Sequence, residues 1–257
     1  MKKLKILITN DDGYEAKGLH TLIEALKDIA DLTVVAPATE KSACAHSLTL
    51  TRPLRFIGVD DGFFKLDDGT PSDCIYLALN SMFEDAKPDL VISGINRGSN
   101  MGEDITYSGT CAGAMEAVLH DIPAIAISQV VDFSISNNDY SLAAKTVREL
   151  VVKISSGEFP LPHREFLNVN IPSGVHEAKM VVTYAGYRYY ANDAHLHRNP
   201  RGEEFYWLGL HPLSFKPRPQ RSGMCDYDAI EQGFISLTPI HLDLSAYHSM
   251  DALESWL

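Results

Sequence analysis

The chain has 257 residues, of which 45% are hydrophobic and 22% charged, the balance of a folded protein with an ample core. Its formal net charge of −12 argues against a protein that coats nucleic acid or binds an anionic membrane surface. No apolar run approaches the roughly 20 residues of a membrane span, and the apolar stretch behind the first three residues is too short for a signal peptide, so a cytoplasmic protein without a membrane partner is expected.

Strand and helix signals alternate over the first two-thirds of the chain. In chain order, the patterns predict a strand at 4–9, a helix at 18–30, a strand at 32–37, a hairpin-like pair at 48–57 and 62–66, a helix at 71–83, a strand at 89–96, a helix at 108–120, a strand at 123–128, a helix over roughly 139–155 and a strand at 165–172. This repetition predicts an α/β protein whose mostly parallel sheet is covered by helices.

The pattern changes after residue 175. Long antiparallel strands are predicted at 179–190 and 203–210, with a polar connection at 191–202 and a loop at 211–225. A short helix and a strand are predicted within 226–240, and an amphipathic helix within 249–257. We therefore divide the chain into a core at 1–175 and a C-terminal extension at 176–257, expected to form one structural domain with an appendage. Because a Tyr-rich ribbon buries little against its own domain, an oligomer is expected.

Polar side chains follow three of the predicted core strands. Asp11 and Asp12 come directly after the first strand, Ser42 lies in the loop after the second, and Asn96 ends the third. Since the carboxyl ends of parallel strands meet at one edge of a sheet, these four side chains are expected to converge. A cation would offset the repulsion and lost hydration of two adjacent enclosed carboxylates. Hard oxygen ligands suit Mg²⁺, Mn²⁺ or Ca²⁺, and the four scattered cysteines give no zinc pattern.

The segment Ser108-Gly109-Thr110 stands where a loop enters a predicted helix. Backbone N–H groups and the helix dipole at such a position attract an anion such as phosphate. Gly98 and Asn100 lie in the loop just before it, after the third core strand. A cation beside an anion-binding helix end is a recurring arrangement for phosphoryl chemistry.

Each of these motifs also has a structural interpretation. Asp-Asp-Gly forms ordinary turns, Ser108 is a common N-cap residue, and Asn96 and Asn100 tolerate left-handed backbone. Only the coincidence of the loops at one sheet edge favours a functional site. The weaker candidates are three histidines. His46 lies in the Ser42 loop and could assist proton transfer. His195 and His197 could bind a metal ion, but a two-residue spacing on a polar ribbon is more typical of solvated side chains.

Six segments carry a family resemblance over almost the whole chain. They are ILITNDDG (6–13), VVAP with the following serine and SLT (34–49), GTPSDC (69–74), PDLVISGINRGSNMGEDITYSGT (88–110), LNVNIP (167–172) and GFISLTPI (233–240). Together they resemble the survival protein SurE family of 5'/3'-nucleotidases. The resemblance implies a Rossmann-like three-layer core with a C-terminal β-hairpin extension and a C-terminal helix used in subunit exchange, which gives a homodimer or homotetramer.

The resemblance also implies an activity: hydrolysis of a small-molecule nucleotide, a nucleoside monophosphate, with one divalent Mg²⁺, Mn²⁺ or Ca²⁺ ion per subunit activating a water. Matched residue by residue, it implies that the metal ligands are Asp11, Asp12, Ser42 and Asn96, that the phosphate lies against Asn96, Gly98, Asn100, Ser108, Gly109 and Thr110, and that the catalytic residues are Asp11, Asp12 and Asn100. Which carboxylate accepts the water's proton stays open at this point.

Three other functions compete with this interpretation. A broader phosphomonoesterase or exopolyphosphatase would use the same chemistry on other substrates. A nucleotide-binding module would keep the anion-binding loop without turnover. A dinucleotide-dependent oxidoreductase is disfavoured because no G-x-G-x-x-G follows the first strand.

Overall fold

A computed structural model describes residues 3–83, 86–132, 134, 138–157, 159–190, 193–209, 212–218 and 222–257. The first two-thirds contain β1 (Leu4–Thr9), α1 (Lys17–Leu26), β2 (Ala30–Pro37), β3 (Phe56–Asp60), β4 (Phe63–Leu66), α2 (Pro71–Ser81), β5 (Leu90–Arg97), α3 (Gly109–Leu119), β6 (Ala124–Gln129), α4 (Ser141–Ser156) and β7 (Glu165–Ile171). The remainder contains β8 (Met180–Tyr184), β9 (Tyr187–Tyr190), β10 (Asp193–Arg198), β11 (Glu204–Gly209), β12 (Pro212–Lys216), β13 (Met224–Cys225), α5 (Asp226–Glu231), β14 (Ile235–His241) and α6 (Met250–Trp256).

One large sheet organises the described residues, with its ten strands in the order β13-β8-β14-β7-β6-β5-β1-β2-β4-β3. The strands from β7 to β4 run parallel to one another, which confirms the predicted α/β fold with a mostly parallel sheet. From β1 the chain first adds strands on the β2 side and then returns to add β5 on the other side. The strand order therefore reverses between β1 and β5, and ligands bind at such a reversal in open α/β sheets.

The central strand β1 shows why the sheet has helices on both faces. Ile6 and Ile8 are fully buried in a cluster with Leu22 and other side chains of α1 and α4. Leu7 points the other way and lies in a second buried cluster with Ile75 of α2 and side chains of α3. Because alternate residues of a strand face opposite sides, an unbroken apolar run requires cover on both faces. Full burial of each such side chain contributes roughly 1.5–3 kcal/mol to the stability of the fold, relative to leaving the side chain exposed.

The start of α2 is fixed by the GTPSDC segment and also anchors the loop that carries Ser42. Thr70 caps the helix by accepting a hydrogen bond from the N–H of Asp73, and the Asp73 carboxylate accepts one from the N–H of Thr70. The same carboxylate accepts bonds from the N–H and hydroxyl of Thr49, at 2.8 and 2.7 Å. The predicted strand at 48–57 is therefore wrong in its first part, because Thr49 is bonded to the helix cap and, within this stretch, no strand begins before Phe56, the first residue of β3.

The C-terminal extension differs from its prediction in three places. The strand predicted at 179–190 is divided into β8 and β9 at Ala185-Gly186, where a β-carbon on Gly186 would lie 2.6 Å from the sulfur of Cys225. The polar connection predicted at 191–202 contains β10, which pairs with β11 and places His195 opposite Trp207. The loop predicted at 211–225 contains β12 and β13. Described side chains of β10 are exposed on both faces, so no apolar alternation marks this strand in the sequence.

The extension also contributes strands to the central sheet. β14 pairs antiparallel with β7, with Ser236 opposite Asn170, and parallel with β8. The sheet thus continues across residue 175, and the division at that residue stays a prediction. In the ranges given above, none of the helices is both long and apolar enough to cross a bilayer.

Candidate functional site

Asp11 lies directly after β1 and is only 4% exposed. Its Oδ1 accepts a hydrogen bond from the hydroxyl of Thr110 in the first turn of α3. The carboxylate therefore lies at the N-terminus of that helix, where the dipole favours negative charge. Burial has the larger effect and raises the pKa of Asp11 from 3.8 to about 6, and repulsion from Asp12 adds to the increase.

Asp12 connects the ends of β1 and β5. Its Oδ2 accepts a hydrogen bond of 2.8 Å from the backbone N–H of Arg97, the last residue of β5. Burial raises the pKa of the Asp12 carboxyl and repulsion from Glu40 raises it further, whereas the N–H and the charge of Arg97 lower it. Two neighbouring carboxylates thus lose hydration at the same strand end.

A bulge in β5 determines where Asn96 lies. The pairing of β5 with β6 shifts register between Ser93 and Asn96, so three steps on β5 match two on β6. Gly94 has a φ of 143°, and a β-carbon there would lie 2.3 Å from the carbonyl oxygen of Ile127. Asn96 donates its amide hydrogen to the carbonyl of Gly98 at 2.9 Å, which leaves the amide oxygen as the atom available to a cation.

Ser42 is exposed and donates its hydroxyl to Glu40 at 2.7 Å. The loop is held beside β1 by a 2.7 Å hydrogen bond from the N–H of Lys41 to the carbonyl of Asp11. Glu40 thus contacts Ser42 and lies close enough to Asp12 to repel its carboxylate, and it was not predicted from the sequence. An acidic residue in an irregular loop carries no periodic signal that distinguishes it from a solvated one.

A cleft of about 450 Å³ opens beside Asp12. Ser42 and Glu40 lie on one part of its lining, and Lys17 and Arg97 add two positive charges. These cations place positive potential next to the paired carboxylates, which suits an anionic ligand approaching that position.

The segment Ser108-Gly109-Thr110 packs around Asp11. Ser108 is the N-cap of α3 and accepts a 3.0 Å hydrogen bond from the N–H of Cys111, so its structural interpretation holds, although the hydroxyl proton can still be donated. Thr110 is fully buried and gives its hydroxyl proton to Asp11. Gly109 has no room for a side chain, because a β-carbon there would lie 2.9 Å from Oδ2 of Asp11.

Asn100 is buried in a network of polar side chains at the ends of β6 and β7. Its backbone N–H donates to the Asn170 side chain at 2.9 Å, and its side-chain amide donates to the Ser128 hydroxyl at 2.8 Å. Gly98, with a φ of 125°, donates its N–H to the carbonyl of Gln129 and begins this loop. Ser128 and Asn170 were not among the residues predicted from the sequence, although two asparagines within the buried strand β7 indicate that their amides bond a polar partner.

The histidines lie away from the cleft. The ring of His46 is 2.7 Å from the buried carboxylate of Glu116 on α3, and His120 lies 3.2 Å from the other oxygen of that carboxylate. His195 and His197 are exposed on β10. Across the described part of the chain, no group of three or more His, Cys, Asp or Glu side chains could hold a metal ion.

The donor set beside β1 nevertheless fits a hard divalent cation. Asp11 and Asp12 supply two desolvated carboxylates, and Asn96 and Ser42 supply neutral oxygens, the combination that Mg²⁺, Mn²⁺ and Ca²⁺ accept. Asn96 precedes Arg97, whose N–H bonds Asp12. Ser42 bonds Glu40, which repels the Asp12 carboxylate, and these three residues line the same cleft. A bound cation would relieve the burial cost that raises both carboxyl pKa values.

Comparisons with known proteins point to one family. Residues 6–192 match the family model described as survival protein SurE. The chain is 70% identical over 262 residues to a protein of Sulfurimonas denitrificans named 5'-nucleotidase SurE, with 99% of each chain covered. It is 61% identical to the protein of the same name from Wolinella succinogenes, covering 98% of this chain and 99% of the relative. The crystal structure of the SurE protein from Aquifex aeolicus superposes with a TM-score of 0.81 at 39% identity, covering 98% of this chain and 99% of that one.

Proposed function

Because this chain belongs to the survival protein SurE family, we propose that it is a divalent-metal-dependent 5'-nucleotidase that hydrolyses nucleoside monophosphates. The close relatives that carry this enzyme name match the chain over nearly its full length. The observation that carries the proposal is the position of Asp11 and Asp12: two desolvated carboxylates at the strand reversal, one of them at the N-terminus of α3.

In this proposal Asp11, Asp12, Ser42 and Asn96 hold one Mg²⁺, Mn²⁺ or Ca²⁺ ion. When bound, such an ion polarises the phosphate and lowers the pKa of a water that it binds. The carboxylates of Asp11 and Asp12 would hold the ion, and Asn96, which follows the bulge in β5, would supply its amide oxygen. One of the two carboxylates, Asp11 or Asp12, would accept the proton of the attacking water.

The phosphate is proposed to lie between the cation site and the first turn of α3. Backbone N–H groups at the start of a helix stabilise an anion, and the developing charge of phosphoryl transfer is spread over the oxygens they would face. Ser108 keeps a hydroxyl proton that it can donate to the phosphate. Gly98 and Asn100, in the loop after β5, are proposed to contact the phosphate as well. Lys17 and Arg97 attract the dianionic substrate toward the cleft.

The decisive experiment measures phosphate release from a nucleotide panel after EDTA treatment, with Mg²⁺, Mn²⁺, Ca²⁺ or Zn²⁺ added back separately. We expect release from nucleoside monophosphates that depends on a hard divalent ion and is abolished by Asp12→Asn with the fold intact. Asp31→Asn, which changes an exposed carboxylate on β2, is the matched control. Full activity of Asp12→Asn would remove Asp12 from the mechanism.

The same panel distinguishes the competing functions. Faster turnover of polyphosphate or of simple phosphomonoesters than of nucleotides would indicate the broader phosphatase. Nucleotide binding without phosphate release under any metal would indicate a binding module. Comparing the rates for matched 3'- and 5'-monophosphates determines which ester is preferred.

A second copy of the chain is the proposed protein partner, in a homodimer or homotetramer formed by exchange of the C-terminal extension. Exposed large apolar side chains are most numerous along two stretches of the extension. On the β10–β11 hairpin they are Leu196, Phe205, Tyr206, Trp207 and Leu208, and in the C-terminal segment they are Leu244, Tyr247, Met250, Leu253, Trp256 and Leu257. Exposed apolar side chains in such numbers favour a protein interface. Four free thiols support a reducing, cytoplasmic location.

A further inference from the structure

The LNVNIP segment has no role in the proposed reaction, yet it places two fully buried asparagines at the end of β7. Asn168 and Asn170 are two residues apart and therefore face the same side of the sheet. An asparagine buried inside a strand costs stability unless its amide is fully bonded. The partner that both side chains share is the backbone of Asn100.

Asn170 holds both backbone polar groups of Asn100. Its Oδ1 accepts the N–H of Asn100 and its Nδ2 donates to the Asn100 carbonyl, each at 2.9 Å. Asn168 donates to the same carbonyl at 2.8 Å, and its own oxygen faces the Cys111 thiol in the first turn of α3. Two side chains of β7 thus make the hydrogen bonds that the backbone of a neighbouring strand would make, and they hold one residue of an otherwise irregular loop in place.

Ser128 at the end of β6 fixes the remaining freedom of Asn100. Its hydroxyl accepts a hydrogen bond of 2.8 Å from the side-chain amide of Asn100. The side-chain rotamer of Asn100 is therefore held in addition to its backbone. The residues after Asn100 are also held: the N–H of Gly102 donates to the buried carboxylate of Asp226 at 2.7 Å, and the Tyr227 hydroxyl donates to the carbonyl of Met101.

We propose that Asn170 and Ser128 are positioning residues that act through Asn100, holding it in register with the first turn of α3 for contact with the substrate phosphate. This inference rests on the proposed nucleotidase function. A merely structural network would stabilise the sheet end without affecting turnover at saturating substrate. Positioning predicts instead a loss in kcat, because a misplacement of about 1 Å can cost about a hundredfold in rate.

The test uses Asn170→Ser, which removes both bonds to the Asn100 backbone, and Ser128→Ala, a smaller change that keeps the proposal testable if the first variant folds poorly. Asn80→Ser, on the exposed end of α2, is the control. We expect kcat to fall by about tenfold to a hundredfold in Asn170→Ser, with Mn²⁺ affinity within about twofold of wild type because the metal ligands are untouched. Hydrogen exchange at the Asn100 amide should become faster in the same variant.

A double-mutant cycle with Asn100→Ala separates action through Asn100 from a general effect. In the Asn100→Ala background, Asn170→Ser should reduce kcat by less than about threefold. An equal loss in both backgrounds, or an unchanged kcat in Asn170→Ser, would overturn the positioning role alone. A wild-type protein that releases no phosphate from any nucleotide would overturn the nucleotidase proposal and with it this role.

Discussion

Gly109 and Asp11 are so close that a β-carbon on Gly109 would lie 2.8 Å from the β-carbon of Asp11. The backbone of α3 therefore approaches the carboxylate without an intervening side chain. This contact explains how the end of β1 and the start of α3, which are far apart in sequence, form one site.

Gly109→Ala is expected to displace Asp11 and weaken metal binding. The added methyl would also meet the Cys44 sulfur at 2.9 Å, so it cannot move away from Asp11 into free space. We expect Mn²⁺ affinity to fall by about tenfold or more, since overpacking of this kind costs about 1–3 kcal/mol. Isothermal titration calorimetry measures the affinity. Gly58→Ala, where the new methyl meets no atom within 4 Å, is the control, and equal affinities in the two variants would contradict the prediction.

Asp11→Asn is expected to stabilise the metal-free protein while abolishing activity. Since the folded-state pKa of about 6 lies above the ordinary 3.8, the native state retains a proton that the unfolded chain has already lost between these values. The stability that the protonated Asp11 carboxyl contributes to the folded state is therefore fully present below about pH 4 and is lost as the pH rises through 6. In EDTA at pH 8, the variant should be roughly 2–3 kcal/mol more stable than wild type in urea unfolding. At pH 4 the difference should nearly vanish. A variant less stable than wild type at pH 8 would show that burial of the ionised Asp11 carboxylate does not destabilise the folded protein.

Metal affinity is expected to depend on pH through the same carboxylate. Below pH 6 the proton on Asp11 competes with the cation, whereas above pH 7 the carboxylate is already ionised. Mn²⁺ affinity at pH 5 should therefore be about tenfold weaker than at pH 7.5. Titrations at pH 6 in buffers of different ionisation enthalpy should show proton release on binding. An affinity that is the same at pH 5 and pH 7.5 would exclude Asp11 as a ligand.

The parts of this fold that the sequence predicted best are those enclosed on both sides. β1 and β5 contain the apolar runs Ile6–Ile8 and Leu90–Ile92, and α2 begins with the capping pair Thr70 and Asp73, so each of these elements has a local sequence signal. The sheet edge at which Asp11 and Asp12 lie follows from parallel strand topology.

What the sequence did not predict depends on contacts between distant segments. β10 is exposed on both faces and lacks apolar alternation, so its pairing with β11 leaves no periodic signal. Glu40 acquires its position from a loop held by Asp11 and Asp73. The proposed role of Asn170 depends on Asn100, 70 residues earlier in the chain. In the sequence, only the presence of a polar amide within a buried strand distinguishes Asn170.

Oligomerisation is expected to depend on the exposed β10–β11 hairpin. Trp207 is 69% exposed on that hairpin, and buried tryptophans carry a large share of the energy of protein interfaces. Light scattering should give the wild type at least twice the 28.4 kDa of one chain. Trp207→Glu, which places a charge in the proposed interface, should shift the mass toward one chain at micromolar concentration. Val152→Glu, at a 46% exposed position on α4, should keep the wild-type mass. A monomeric wild type, or an unchanged mass in Trp207→Glu, would place the interface elsewhere or remove it.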